Sequence, residues 1–133
     1  MTKKFTSLHC HSTFSFRDAY GTPEQHAKRA SEIESTHLAL TDHGGMHGWI
    51  KHQAACKQVG VQPIFGSEFY CVNRVGNNQR EKQHLTILAK NHEGLKNIMQ
   101  LTTLAWNNFY YKPTIDYEIL SKHSEGLIVL GGC

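Results

Sequence analysis

The sequence predicts an α/β domain, and three observations carry that prediction. Short apolar runs alternate with helix-length amphipathic segments, the pattern of strands joined by crossover helices around a mostly parallel sheet. Helix start and stop signals stand at the junctions, in Thr22-Pro23-Glu24-Gln25 and at Gly60. Chemistry-bearing residues (His9-Cys10-His11, Asp42-His43, Glu68) fall at the ends of apolar runs, where α/β sheets build their sites.

Taken in order, Phe5 to Cys10 is expected as the first strand. Thr22 can cap a helix, Pro23 suits its first position and Gln25 completes a capping box, so a helix is expected to about Ser35, with Ala27, Ala30 and Ile33 at helical spacing. His37 to Thr41 has the composition of a buried strand. A second helix is expected from Met46 to Val59, ended by Gly60. Pro63-Ile64-Phe65-Gly66 and then Glu68 to Val72 are strand-like, and polar Asn73 to Lys82 turns at Gly76-Asn77-Asn78. Gln83 to Ala89 alternates as a strand, and Asn91 to Trp106 reads as a third helix. The aromatic loop Phe109 to Pro113 follows, then a short helix from Asp116 to Lys122 and a last strand from Gly126 to Leu130.

A length of 133 residues fits one domain or a piece of one. The net charge of +3, with no long block of like charge, does not by itself call for a nucleic-acid partner. No apolar run approaches the ~18 residues that span a bilayer. The four cysteines, at 10, 56, 71 and 133, form no CxxC pair. A reduced, cytoplasmic protein is therefore expected. The unusual feature is histidine, present ten times.

His9 and His11 stand two apart at the end of an expected strand, so both rings can face one point; two ordinary polar residues would give the same string. Asp42-His43-Gly44-Gly45 offers an acid and an imidazole where glycine lets the backbone turn, although Asp42 alone could serve an Asx turn. Glu68 lies among Ile64, Phe65, Phe69 and Tyr70; a carboxylate buried there needs a partner or a cation. Asp18 has the same standing, with a salt bridge to Arg17 as its alternative. His84 lies near the start of its strand, so it reaches the same site only if that strand sits deep or runs otherwise than parallel; a structural histidine is the alternative. His26, His37, His52, His92 and His123 fit no ligand pattern and are expected to be surface or half-buried residues. His47 is expected to pack against the second helix. Phe109-Tyr110-Tyr111-Lys112 suits either loop packing or stacking on a single strand. Mixed nitrogen and oxygen donors suit Zn²⁺, Mn²⁺ or Fe²⁺, and their number suggests a cluster of two or three ions, the equipment of phosphoester hydrolysis.

In this order, Leu8-His9-Cys10-His11-Ser12 with Asp18, Ala39 to Gly44, Pro63 to Tyr70, His84 to Asn91, Phe109 to Pro113 and Ser124 to Ile128 resemble the PHP (polymerase and histidinol phosphatase) domain of bacterial replicative polymerase alpha subunits. The resemblance covers nearly the whole chain and implies a partial, distorted (β/α) TIM-like barrel, truncated after about the fifth strand. Residues 1–133 would form the front portion of that domain, with further Asp and His ligands and the polymerase domains beyond it. The implied metal ligands are His9, His11, Asp18, His43, Glu68, His84 and Cys133, with His9, His11, Asp42, His43 and Glu68 as the catalytic set. The implied activity is metal-dependent phosphoester hydrolysis, in some members 3′–5′ exonucleolytic proofreading. The implied partners are DNA at a 3′ end or single strand, the rest of the polymerase chain and a proofreading subunit. Members that have lost ligands serve instead as assembly platforms, whereas this chain keeps every ligand-type residue of the region. It departs from the family at Gly45, where Asn is usual, and at His47, where an aromatic residue is usual. A free-standing phosphatase or an amidohydrolase would also use HxH; the latter needs a bridging Lys and a different order of later histidines.

Overall fold

The computed structural model describes residues 5–132. In chain order the elements are α1 (Pro23–Glu32), β1 (His37–Leu40), α2 (Trp49–Val59), β2 (Gln62–Val72), β3 (Gln83–Ala89), α3 (His92–Asn107), β4 (Thr114–Asp116), α4 (Tyr117–Lys122) and β5 (Leu127–Gly131). The strands form one unclosed five-stranded sheet of order β1-β2-β3-β5, with β4 also paired to β2.

Most expected elements are present, with shifted ends. The Thr22 capping box forms: Gln25 N donates to Thr22 Oγ1 at 3.3 Å and Thr22 N to Gln25 Oε1 at 2.8 Å. The α1 helix ends at Glu32, short of Ser35, because Glu34 takes a left-handed φ of 56°. The second helix starts at Trp49, later than expected, and Gly60 caps it with φ 76°. Two expected strands are one: β2 runs unbroken for 11 residues, so Glu68 sits within a strand rather than after one. The three-residue β4 lies in what read as the approach to a helix.

Two expectations are corrected. Phe5 to Cys10 is not a strand among the described residues. It bends at Leu8 and His9 and bonds to β1 only intermittently, through Ala39 N to Ser7 O at 3.0 Å and Thr41 N to Cys10 O at 2.8 Å. The sheet is mixed, not mostly parallel: β2 is parallel to β1 and β4, but β3 is antiparallel to both β2 and β5. No helix separates β2 from β3, so the chain returns through residues 73–82 in the opposite direction.

The apolar residues collect in two clusters. Phe69, Ile87, Ile98, Leu101 and Ile115 form one between α3 and the sheet. Ala27, Ala30, Leu38, Ala55, Cys56 and Val61 form the other, where small side chains let α1 approach α2. His52, expected at or near the surface, is fully buried and hydrogen-bonds Leu38 O at 3.1 Å. Its helical position turns it toward β1.

Candidate metal centre

Backbone pairing builds the centre first. Glu68 N donates to Asp42 O at 3.1 Å and Gly44 N to Glu68 O at 2.9 Å. The Asp42-His43-Gly44 turn therefore extends the β1 edge along β2 and sets His43 opposite Glu68. In the antiparallel register of β2 with β3, Tyr70 faces His84, so the beginning of β3 lies beside the site. This resolves the directional problem of His84. Its Nδ1 lies 2.6 Å from Glu68 Oε1.

Glu68 is completely buried and is the hub. His9 Nε2 contacts its Oε2, His11 Nε2 lies 3.0 Å from the same oxygen, and His43 Nδ1 lies 3.5 Å from Oε1. His9 Nε2 and His11 Nε2 are 3.0 Å apart. The His11 and His43 rings stack at 4.1 Å, and Tyr70 packs against both His43 and His84. Asp18, mostly exposed, reaches His43 Nε2 at 2.5 Å from the rim rather than pairing with Arg17. Cys133 lies outside the described residues.

Asp42 is buried but its carboxylate is directed elsewhere. It accepts from Ser12 N at 2.6 Å, Ser12 Oγ at 2.9 Å and Ser15 Oγ at 2.7 Å. These bonds fasten the segment carrying His9 and His11 to the end of β1. Ser15 Oγ also accepts from His43 N at 3.0 Å. Ser12, Ser15 and Tyr70 were not among the candidates read from sequence. The Ser12 and Ser15 spacing around an HxH was the available signal. The His47 ring lies over Gly45, where a Cβ would come within 2.5 Å of its Nε2.

The charges follow from this crowding. Burial alone would push the Glu68 carboxyl up. Hydrogen bonds from His11 and His9, with the charges of His43 and His11, outweigh it and hold the carboxyl down at about 2. The Glu68 hydrogen bond raises the His11 pKa. His43 is lowered, first by burial and then by neighbouring His11. Cys10, between the two histidines, has its thiol pushed up to about 11 by burial and by Asp42. His9, His11 and Glu68 have donor atoms within 4.8 Å of one another. Imidazole nitrogens meeting at a buried carboxylate suit a divalent cation.

The curated relatives match along nearly the whole chain. DNA polymerase III subunit alpha of Aquifex aeolicus is 39% identical over 145 residues, covering 100% of this chain and 12% of that protein. Its counterpart in Chlamydia pneumoniae is 40% identical over 133 residues, covering 95% and 11%. That of Borreliella burgdorferi is 36% identical, covering 98% and 12%. The chain thus spans about an eighth or less of the length of these relatives. Among solved structures, a proposed metal-dependent phosphoesterase from Bifidobacterium adolescentis superposes with TM-score 0.55 at 20% identity, over 77% of this chain and 34% of that one. An amidohydrolase from Chromobacterium violaceum superposes with TM-score 0.53 at 24% identity, with the same coverages. Both likenesses fit this chain's unclosed mixed sheet as a partial TIM-like barrel. The family profile of the PHP domain matches residues 7–133, the stretch that supplies every side chain around Glu68, and the chain belongs to the PHP domain family.

Proposed function

We propose that this chain is part of a replicative DNA polymerase alpha subunit and carries a metal-dependent phosphoesterase site that removes nucleotides from DNA 3′ ends. The observation that carries the reading is the convergence of His9, His11, His43 and His84 on the buried Glu68 carboxylate. His9, His11, Asp18, His43, Glu68 and His84 are the proposed ligands of two or three divalent ions, with Cys133 as a further one. Cations held there supply Lewis acidity toward a phosphoryl oxygen and toward water.

The chain's own groups do the rest. Glu68 balances positive charge from inside the fold, and four imidazoles from three separate segments enclose it. Asp18, at the rim, orients His43 through Nε2. Asp42 acts as a positioning residue, because its bonds to Ser12 and Ser15 set where His9 and His11 stand. DNA, the remainder of the polymerase chain and a proofreading subunit are the proposed partners, in the cytoplasm. Cys10, Cys56 and Cys71 are free thiols, and no helix of the described residues is long and apolar enough to cross a membrane.

Metal analysis of the purified full chain, paired with release of mononucleotides from a 3′-labelled single strand, tests the reading. Wild type is expected to retain Zn²⁺ or Mn²⁺, and His9→Ala and Glu68→Ala to lose it while keeping the wild-type circular dichroism. A wild-type chain that binds neither ion overturns the proposal. A second reading, a non-catalytic assembly module, is favoured by β5. Among the described residues it pairs only with β3, and its Ile128 and Val129 are exposed, so further polypeptide could extend the sheet there. A chain that loads metal yet hydrolyses no phosphoester would support it.

A further inference from the structure

Beside the centre lies a cleft of about 540 Å³ whose walls include Asp18 and His43 on one side and Trp106, Phe109, Tyr111 and Lys112 on the other. Its aromatic wall is held rigidly to the metal centre. Trp106 Nε1 donates to Gly44 O at 2.9 Å. Pro113 packs on Gly44 so closely that a Cβ there would stand 2.6 Å from its Cγ. The loop from Trp106 to Pro113 is thus anchored at both ends to the residue that follows His43.

Loop packing accounts for Trp106 and Pro113 but not for the residues between them. Phe109 is 53% exposed and stacks on Trp106 with centroids 5.6 Å apart and planes 20° apart. It presents a flat apolar face to the cleft. Cations stand over two other rings of the cleft lining, Tyr70 and Tyr111. Lys112 Nζ stands 5.2 Å above the Tyr70 ring, itself stacked on His43. The Arg80 guanidinium lies 4.7 Å over Tyr111 and hydrogen-bonds its hydroxyl at 2.8 Å. Among the described residues neither Lys112 nor Arg80 is ion-paired to a carboxylate. Fixed aromatic faces interleaved with unneutralised cations form the surface that holds unpaired nucleotides, bases by stacking and phosphates by charge.

Resting on the phosphoesterase reading, we propose that this cleft seats the last nucleotides of a single strand. The terminal base lies on the Phe109–Trp106 stack, with Lys112 on the adjoining phosphate and the Arg80–Tyr111 pair at the next nucleotide. The terminal phosphodiester is thereby presented to Asp18 and His43. Phe109 and Lys112 are positioning residues for the substrate.

Fluorescence anisotropy of a labelled oligo-dT with the EDTA-treated full chain reads this seat without any hydrolysis. Phe109→Ala and Phe109→Leu are each expected to weaken binding about tenfold, the scale of one lost base–aromatic stack. Lys112→Ala is expected to weaken it and lower the salt slope by about one. An abasic strand of equal length is expected to bind as weakly to wild type as oligo-dT does to Phe109→Leu. Metal loading stays at the wild-type level in all three variants. Absent wild-type binding, indifference to Phe109→Leu, or equal binding of the abasic strand overturns the proposal. A chain that takes up no metal but binds oligo-dT through Phe109 overturns the phosphoesterase reading instead.

Discussion

Glu68 is fully buried, with His9, His11, His43 and His84 around its carboxylate. In the metal-free chain its carboxyl is held at about 2, below the ordinary 4.5. Its contribution to stability is therefore complete above pH 4.5 and lost as pH falls toward 2. His11 is displaced in the opposite sense, above 6.5, so its contribution is complete below pH 6.5 and fades as pH rises through the raised value. The pair together stabilises the metal-free fold most between those limits. Thermal melts of the EDTA-treated chain across roughly pH 3 to 8 should show that maximum, and Glu68→Gln should flatten both limbs. Metal affinity should run the other way on the neutral side, rising with pH as His11 gives up its proton. A glutamate among Phe and Tyr residues was legible as a group in need of a partner. That four histidines would supply partners was not, because His84 is placed by the direction of a strand that the local sequence leaves open.

At the scale of elements, a tight backbone approach joins the start of α3 to the turn before β5. A Cβ on Gly94 would stand 1.9 Å from Gly126 O, and Gly126 itself has φ +71°. Replacing a helical glycine by alanine ordinarily stabilises by up to about 1 kcal/mol. Here the obstacle is backbone and cannot rotate away. Gly94→Ala should instead destabilise by about 1–3 kcal/mol, measured by urea unfolding, and an unchanged or raised midpoint would contradict this packing. The consequence extends to the site, since α3 ends beside Trp106 and the aromatic loop. Caps were readable locally at Thr22 and Gly60, which each act within three or four residues of themselves; Asn91, expected inside the third helix, caps it instead. The β4 strand was not readable, because three residues gain strand geometry only from pairing with Tyr70 to Val72.

Over the whole molecule, the proposed ligands come from the segment before α1, the turn after β1, the middle of β2 and the start of β3, so one cluster of ions would cross-link most of the fold. Excess Zn²⁺ at about a hundred times its Kd should add ~2.7 kcal/mol to wild-type stability. Differential scanning calorimetry should record a rise of several degrees in Tm, absent in Glu68→Ala. The alternation of apolar runs, the helix caps at Thr22 and Gly60 and the choice of candidate ligand side chains were legible in the sequence alone, because each depends on side-chain chemistry or on neighbours a few residues away. Tertiary structure decided the mixed strand directions, the entry of His84 into the centre, the use of Asp42 as an anchor for Ser12 and Ser15, and the burial of His52. Each of these depends on contacts between residues far apart in the chain, and those contacts exist only once the sheet has formed.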